Sequence, residues 1–222
     1  MTRVVLKLGG RVATAAAGYA LALHDAGDEV VVVHGAGPQI TAELQERGMP
    51  VRFVNGRRLT DATTLAIVRA SLVAVGAEVS AALGPAALRL VGDEIGLCAR
   101  RLPGLGLVGE PLPCRPAAIV DALAAGRIPV ITPIAVGPLN VNADEAAAAL
   151  AVGFDAERIA FVSDVPGVFV EGAVVDRLHV DRADELLDSG AFDGGIVPKL
   201  LAAVRAARLG IHAEIGETAV VA

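Results

Sequence analysis

Two lysines, an arginine and an aspartate lie beside glycine-rich and asparagine-rich turns in this sequence, and such a set of residues can bind anions. Five short segments carry them, namely KLGG at 7–10, HGAGP at 34–38, NGRRLTD at 55–61, NVNAD at 140–144 and GGIVPK at 194–199. Each segment alone is a weak signal, because glycine turns and single cations are common. Together they supply the positive charges and backbone N–H groups that phosphoryl transfer between two anions requires.

Both glycine-rich turns follow a short apolar run that predicts a buried strand. The turn at 9–10 closes the run at 4–8, and the turn at 35–37 closes the run at 30–33. Backbone N–H groups in such turns can bind phosphate or carboxylate oxygens, and a following helix adds its positive end. Taken singly, either turn is more often only a tight turn. Neither matches the Walker A or the G-x-G-x-x-G pattern, which disfavours P-loop and Rossmann folds.

The two lysines lie where a bound anion would be useful. Lys7 is near the end of a predicted buried strand, where it could neutralise phosphoryl oxygens or extend its ammonium group to solvent. Lys199 is in the first turn of a predicted helix, whose dipole disfavours a cation unless an anion binds there. For Lys199 alone, the sequence is equally consistent with an exposed lysine on a helix face and with an anion-binding lysine.

The asparagine-rich segment is the most specific of the five. Asn140 and Asn142 could bind the carboxylate and amide groups of a substrate, and Asp144 could hold both lysines by charge-assisted hydrogen bonds. An Asx turn with a helix N-cap would explain the same residues, and for Asn142 the two roles are compatible. Arg58 offers a planar fork for a carboxylate, although a solvated arginine beside Arg57 is the ordinary alternative.

Strand-like and helix-like patterns alternate along the 222 residues, which predicts a largely parallel sheet with helices on both faces. The predicted strands cover 4–8, 30–33, 128–131, 159–162 and 211–215. The predicted helices cover 13–26, 61–83, 117–125, 143–151, 181–189 and 198–209, and another begins near Pro38. The stretch at 88–113 predicts a β-rich excursion. Ligands of such sheets bind at the carboxyl ends of the strands, where the glycine turns and the asparagine-rich turn would meet.

Composition narrows the function class. The net charge is −6 and aromatic residues are 3%, which disfavours nucleic-acid binding. Cys98 and Cys114 lack metal-ligand spacing and predict two reduced thiols, and the four histidines predict no metal site. We recognise no signal peptide, and the apolar stretches are predicted to be too short or too interrupted to span a bilayer. We therefore expect a soluble cytoplasmic protein with no membrane partner.

The five segments, in their order and spelling, resemble those of the amino-acid kinase family, and most closely those of its N-acetylglutamate kinase branch. Residues 108–110 and 163–168 add secondary matches. The resemblance implies one domain over 1–222, an α/β fold in the form of a three-layer α/β/α sandwich with a mostly parallel central sheet. An N-terminal lobe, roughly 1–138, would bind N-acetyl-L-glutamate, and a C-terminal lobe, roughly 139–222, would bind ATP with Mg²⁺. The implied reaction phosphorylates the γ-carboxylate to give N-acetyl-L-glutamyl 5-phosphate, an early step of arginine biosynthesis.

The resemblance also implies roles residue by residue. Lys7 and Lys199 correspond to two lysines that stabilise the transition state, and Asp144 to the residue that positions them. The implied substrate-binding residues are Gly35, Ala36, Gly37, Arg58, Asn140 and Asn142. The implied nucleotide-binding residues are Gly9 and Gly10, whose N–H groups would bind phosphoryl oxygens, and Asp164, Val165, Gly167, Val168, Phe169, Phe192, Asp193 and Gly195. No residue is expected to act as a metal ligand.

Three departures from the family pattern bear on these expectations. Ala36 stands where the family often has a third glycine, which leaves the backbone N–H in place. The segment after Gly210 is shorter than usual, which affects the edge of the ATP lobe. No helix precedes the first strand, whereas arginine-inhibited hexamers of the family have one. We therefore expect a homodimer without strong arginine feedback.

Alternative functions remain open at this point. A sister kinase acting on a carrier-protein-bound aminoadipate or glutamate, in lysine or ornithine synthesis, would share nearly all of these residues, although the NGRR spelling at 55–58 favours free N-acetylglutamate. A non-catalytic ligand-binding module of the same fold would not need Lys7, Asp144 and Lys199 together. A carbamate or phosphonate kinase fits the pair Asn140 and Asn142 less well.

Overall fold

An eight-stranded sheet runs through the centre of the molecule. The computed structural model describes residues 1–10 and 12–222. Within these residues the strands lie in the spatial order β14 (Arg177–His179), β16 (Thr218–Val221), β15 (His212–Ile215), β11 (Arg158–Val162), β1 (Arg3–Leu8), β2 (Glu29–His34), β8 (Ile128–Thr132) and β5 (Ala87–Val91). Every neighbouring pair is parallel except β15 and β16, which are antiparallel. The predicted largely parallel sheet is therefore confirmed.

Helices cover both faces of this sheet. They are α1 (Ala17–Asp25), α2 (Gly37–Glu46), α3 (Ala62–Leu83), α4 (Gly92–Ile95), α5 (Ala117–Ala124), α6 (Ala143–Gly153), α7 (Val180–Asp188) and α8 (Ile196–Arg208). The side chains of β1 alternate between two cores. Val5 joins the core that contains α6 and α8, whereas Val4 and Leu6 join the core that contains α1 and α3. Because both faces are covered, the strands are apolar at almost every position, and the α/β/α sandwich is confirmed.

A four-stranded sheet adjoins the central one. It consists of β6 (Ala99–Arg101), β7 (Val108–Pro111), β10 (Leu139–Val141) and β9 (Ile134–Ala135), in that spatial order. The predicted β-rich excursion at 88–113 thus provides β6 and β7 of this sheet. Its beginning differs from the prediction, because β5 pairs with β8 at the edge of the central sheet and α4 follows it directly.

Two short hairpins complete the fold. One joins β3 (Phe53–Val54) to β4 (Arg57–Arg58), and the other joins β12 (Phe169–Val170) to β13 (Ala173–Val174). In the first, Asn55 and Gly56 both have positive φ angles, of 48° and 74°. This is the geometry of a type I′ turn, which Asn-Gly favours because its twist matches that of the flanking strands. This hairpin was not predicted from the sequence, although the Asn-Gly pair was an available signal.

Helix boundaries follow local capping where a cap exists. Helix α3 begins one residue after Asp61, whose carboxylate accepts a hydrogen bond of 2.7 Å from the backbone N–H of Thr64, close to the predicted start. Helix α1 begins at Ala17 rather than at residue 13, and α8 begins at Ile196, two residues before the prediction. Neither of these two helices has a side-chain cap that would mark its start in the sequence.

Helix α3 corrects one expectation about apolar length. Residues 62–86 are long and apolar enough to cross a membrane by length and composition alone. Core helices of soluble proteins pass the same test, and α3 buries side chains such as Val68 and Val79 against α1, α2 and β5. The helix is therefore weak evidence for a membrane, although its apolar stretch is longer than expected.

Candidate functional site

A cavity of about 1030 Å³ opens where the carboxyl ends of β1, β2 and β11 meet. Parallel strands place the turns that follow them along one edge, which is why segments far apart in sequence share this cavity. Of the site residues predicted from the sequence, all line the cavity except Val168. Val168 is fully buried in the core, and its backbone N–H donates to Thr218 Oγ1 at 2.8 Å. The structure therefore does not place Val168 at a nucleotide surface.

Lys7 and Asp144 form a buried ion pair in the cavity wall. Lys7 Nζ lies 2.9 Å from Asp144 Oδ1, and the two side chains are only 6% and 8% exposed. Asp144 lies in the first turn of α6, where the helix dipole also favours its negative charge. Asn142 caps this helix, because its Oδ1 accepts hydrogen bonds from the N–H groups of Asp144 and Glu145. The capping interpretation of Asn142 is thus confirmed, while its side chain still lines the cavity.

Lys199 faces the same cavity without a direct carboxylate partner among the described residues. Its ammonium group donates to Gly195 O at 3.1 Å. Burial lowers the pKa of Lys199 from its ordinary value, while the negative charge of Asp144 opposes this shift and the positive charge of Lys7 adds to it. The chain has only these two lysines, and both line the cavity. Asp144 therefore holds Lys7 by contact and acts on Lys199 only through its field.

The glycine turns differ in which N–H groups they leave for a ligand. Gly9 N–H donates to Val162 O and Gly35 N–H donates to Leu8 O, both at 2.9 Å, because the strand ladders continue one residue past β1 and β2. The expectation that Gly9 donates to phosphoryl oxygens is therefore wrong for this structure. The N–H of Gly10 remains available, since no described acceptor pairs with it.

Close packing between the two glycine turns explains why residue 10 is a glycine. A Cβ at Gly10 would lie 3.0 Å from Gly35 O and 3.2 Å from the Cα of Ala36. Gln39 strengthens this contact by donating a 2.9 Å hydrogen bond from Nε2 to Gly10 O. The side chain of Ala36 is buried, and Gly37 begins α2, so the positive end of that helix also faces the cavity.

Arg58 is a buried cation with spare hydrogen-bonding capacity. It is 6% exposed, and its Nη2 donates to Thr41 Oγ1 at 2.8 Å and to Gly37 O at 3.4 Å. Its guanidinium group stacks on the Phe53 ring at 4.6 Å. Burial lowers the pKa of Arg58, and within the described chain Nη1 has no hydrogen-bond partner and the group no carboxylate partner. Such a group can bind a carboxylate from a ligand.

The opposite end of the cavity is more apolar. Phe169 and Val165 are 48% and 37% exposed, and they line the cavity together with Phe192, Asp193 and Asp164. Exposed apolar side chains beside polar turns suit a flat heterocycle with polar edges. Gly167 has a packing reason as well, because a Cβ there would lie 2.7 Å from Thr218 Oγ1.

Two contacts at this site were not predicted from the sequence. Arg57 lines the cavity and pairs with Glu145, with Nη2 and Oε1 2.8 Å apart. Thr60 lies behind the cavity wall, where its hydroxyl contacts both Arg58 and Asn140. Both residues belong to the NGRRLTD segment, but Glu145 and Asn140 are distant from it in sequence. The local Asn-Gly hairpin could have been predicted, whereas these long-range contacts could not.

Comparison with known proteins gives a consistent result. Residues 2–217 match the amino acid kinase family. The acetylglutamate kinase of Saccharopolyspora erythraea is 39% identical over 94% of this chain and 77% of the relative. That of Dinoroseobacter shibae is 36% identical over 96% of this chain and 80% of the relative. The crystal structure of smu.665 from Streptococcus mutans UA159 superposes with a TM-score of 0.90 at 27% identity, over 99% of this chain and 98% of that one.

Proposed function

Because the chain belongs to the amino acid kinase family, we propose that it transfers the γ-phosphoryl group of ATP to the γ-carboxylate of N-acetyl-L-glutamate. The products of this reaction are N-acetyl-L-glutamyl 5-phosphate and ADP, and we place it in arginine biosynthesis; two relatives that are 39% and 36% identical are named acetylglutamate kinases, which supports the substrate. One observation carries the assignment. Both lysines of the chain share a cavity with Arg58, a buried arginine that has no carboxylate partner in the described chain.

The chemistry explains why the site needs cations and no general base. The attacking γ-carboxylate is already ionised at neutral pH, so no proton has to be removed from it. The obstacle is the repulsion between this carboxylate and the triphosphate. Lys7, held by Asp144, and Lys199 lie where they can offset that repulsion and the charge that develops in the transition state.

The substrate amino acid is placed at the Arg58 end of the cavity. The spare guanidinium nitrogen of Arg58 binds its α-carboxylate, and Asn140 and the turn at 35–37 enclose the rest. ATP is placed at the Phe169 end, with its phosphates reaching toward Lys199 and Gly10. The resemblance implies a lobe boundary after residue 138; we propose to move it to the end of β10 (Leu139–Val141), since β10 pairs with β7 and β9 of the N-terminal lobe.

Mg²⁺ is proposed to enter with the nucleotide. In proteins Mg²⁺ is commonly bound by one or two carboxylates together with substrate phosphates. The described residues include no group of three or more His, Cys, Asp or Glu side chains that could hold a metal ion. When bound, Mg²⁺ would neutralise phosphate charge, and Asp164 and Asp193 are the carboxylates that line the nucleotide end of the cavity. A cytoplasmic homodimer is the proposed state of the enzyme.

A coupled assay of ADP release tests the proposal. Wild-type protein with ATP, Mg²⁺ and N-acetyl-L-glutamate should release ADP, and unacetylated L-glutamate should be a poor substrate. Lys199→Ala and Lys7→Ala should each lower kcat on the order of 10²–10³-fold. Arg182→Ala, on the exposed face of α7, is the matched control and should keep full activity. No ADP release from folded wild-type protein would exclude free N-acetyl-L-glutamate and favour a carrier-bound substrate or a non-catalytic role.

A further inference from the structure

Thr60 is fixed in place behind the substrate end of the cavity. The residue is 1% exposed and does not line the cavity. Its backbone N–H donates to Leu105 O at 3.2 Å, and its carbonyl accepts from Leu107 N–H at 2.7 Å. A Cβ at Gly106 would lie 2.2 Å from Thr60 O, so this close approach depends on the glycine. The Thr60 hydroxyl therefore occupies a defined position.

The hydrogen bonds of this hydroxyl have a fixed direction. Its proton is donated to Arg58 O at 2.6 Å, because a carbonyl oxygen can only accept. Thr60 Oγ1 has no second proton, so the Asn140 atom that lies 3.0 Å away must be a donor. That atom is Nδ2, and the carboxamide oxygen of Asn140 is consequently left for the cavity that Asn140 lines.

We propose that Thr60 is a positioning residue that sets the polarity of substrate recognition. It holds the Asn140 carboxamide with its oxygen toward the substrate and fixes the backbone of Arg58 at the same time. The cavity then offers an acceptor beside a cation, which fits an N–H group next to a carboxylate. The inference rests on the proposed function and assigns the acylamino N–H, rather than a carboxylate, to Asn140.

This polarity predicts selection against an oxygen isostere. In 2-acetoxyglutarate an ester oxygen replaces the amide N–H, so the substrate acceptor would face the acceptor of Asn140. Sites that hydrogen-bond a substrate N–H discriminate strongly against analogues that lack it. Wild-type protein should therefore prefer N-acetyl-L-glutamate over 2-acetoxyglutarate by about 10²-fold or more in kcat/KM.

Two substitutions separate the hydroxyl from the side-chain shape. Thr60→Val keeps the shape and removes the hydroxyl, whereas Thr60→Ser keeps the hydroxyl. We expect Thr60→Val to raise KM for N-acetyl-L-glutamate about tenfold, to leave KM for ATP unchanged and to reduce the amide preference, because Asn140 can then rotate. Thr60→Ser should restore both properties. If Thr60→Val lowered the Tm but left the preference for the amide substrate unchanged, Thr60 would have a merely structural role and the proposal would be overturned.

A second readout does not depend on activity. In ¹⁵N-labelled protein, one side-chain N–H proton of Asn140, assigned by Asn140→Asp, should exchange slowly and shift in Thr60→Val but not in Thr60→Ser. An unchanged Asn140 signal in Thr60→Val would overturn the proposal even if the kinase assay succeeds. If wild-type protein releases no ADP while the Asn140 signal behaves as expected, the proposed function fails and the positioning of Asn140 by Thr60 stands.

Discussion

Lys7 and Lys199 occupy different electrostatic positions in one cavity. Lys7 is 5% exposed and paired with Asp144, so the pair together contributes little net charge. Lys199 is half-buried, and its ammonium group donates to a backbone carbonyl, so of the two lysines it is the one whose charge is not matched by a contacting carboxylate among the described residues. Lys199 therefore supplies net attraction for the triphosphate, while Lys7 supplies a fixed donor.

This difference predicts selective acylation of Lys199. Because its pKa is lowered by burial, more of its amine is neutral at pH 8 than in an ordinary lysine, and acetic anhydride should modify it before the enclosed Lys7. ATP at ten times its Kd should slow the modification about tenfold. Mass spectrometry can follow both sites, and the N-terminal amine is the internal control. Equal rates with and without ATP would contradict the placement of the phosphates.

Residue types could be predicted from the sequence more fully than hydrogen-bond states. The roles of Lys7, Arg58 and Asp144 were expected because the segments that contain them resemble those of the amino-acid kinase family. That Gly9 N–H is already used could not be predicted, because it depends on Val162, which β11 places next to β1. The orientation of Asn140 likewise depends on Thr60, 80 residues earlier in the chain.

At the scale of elements, the hairpin β3–β4 is held against α6 by one ion pair. Arg57 Nη2 lies 2.8 Å from Glu145 Oε1, and the two side chains are 23% and 21% exposed. Burial raises the pKa of Glu145, and Arg57 opposes that shift. Glu145 follows Asp144 directly, so the pair links the hairpin that carries Arg58 to the helix that positions Lys7.

Removing either charge should loosen the hairpin. Arg57→Gln and Glu145→Gln should each raise KM for N-acetyl-L-glutamate about threefold to tenfold, and the double variant should be no worse than either single variant, since the lost interaction is shared. Steady-state kinetics of the four proteins measure this coupling. Arg182→Gln, in the exposed pair of α7, is the matched control. Additive effects of the two substitutions would refute the coupling.

A buried histidine joins β2 to α3. His34 Nε2 lies 3.4 Å from Thr132 Oγ1, and a Cβ at Gly76 would lie 2.8 Å from the same nitrogen. Burial lowers the pKa of His34 from 6.5 to about 4, so the folded protein keeps this ring neutral. Between pH 6.5 and 4 the unfolded chain binds a proton here that the folded chain does not bind, so stability falls as pH falls.

The size of this pH effect can be measured by denaturant unfolding. From the shift at His34, the free energy of unfolding should decrease by about 3 kcal/mol between pH 7 and pH 4. His34→Gln, which cannot titrate, should show a smaller decrease over the same range, and the difference isolates His34 from the carboxylates. If the free energy of unfolding decreased equally in the two proteins between pH 7 and pH 4, burial would not lower the pKa of His34.

At the scale of the whole molecule, long elements could be predicted and short ones could not. The buried strands β1 and β2 were found because a strand covered on both faces is apolar throughout. The strands β14 and β16 have no such pattern, because they are short and lie at the margin of the sheet: two of the three residues of β14 are exposed, and in β16 buried and partly buried residues alternate. Helix α3 was predicted within one residue of its observed start, but the helix prediction does not explain why its outward face is apolar.

That outward face predicts the oligomeric state. Ala66, Ala70, Val73, Ala74 and Ala81 are exposed on α3, with the exposed Glu78 beside them, and a largely apolar face of this length is more typical of a contact surface than of a solvated one. A second copy of the chain is the simplest partner, since a two-fold axis lets one flat face cover itself. Sedimentation equilibrium should give the mass of two chains, and Ala70→Glu should give a monomer, because it would bury two like negative charges next to each other at the axis. Ala124→Glu, on the exposed side of α5, should remain a dimer. If wild type is monomeric, or if Ala70→Glu is still dimeric, α3 is not the contact, and its apolar face needs another partner.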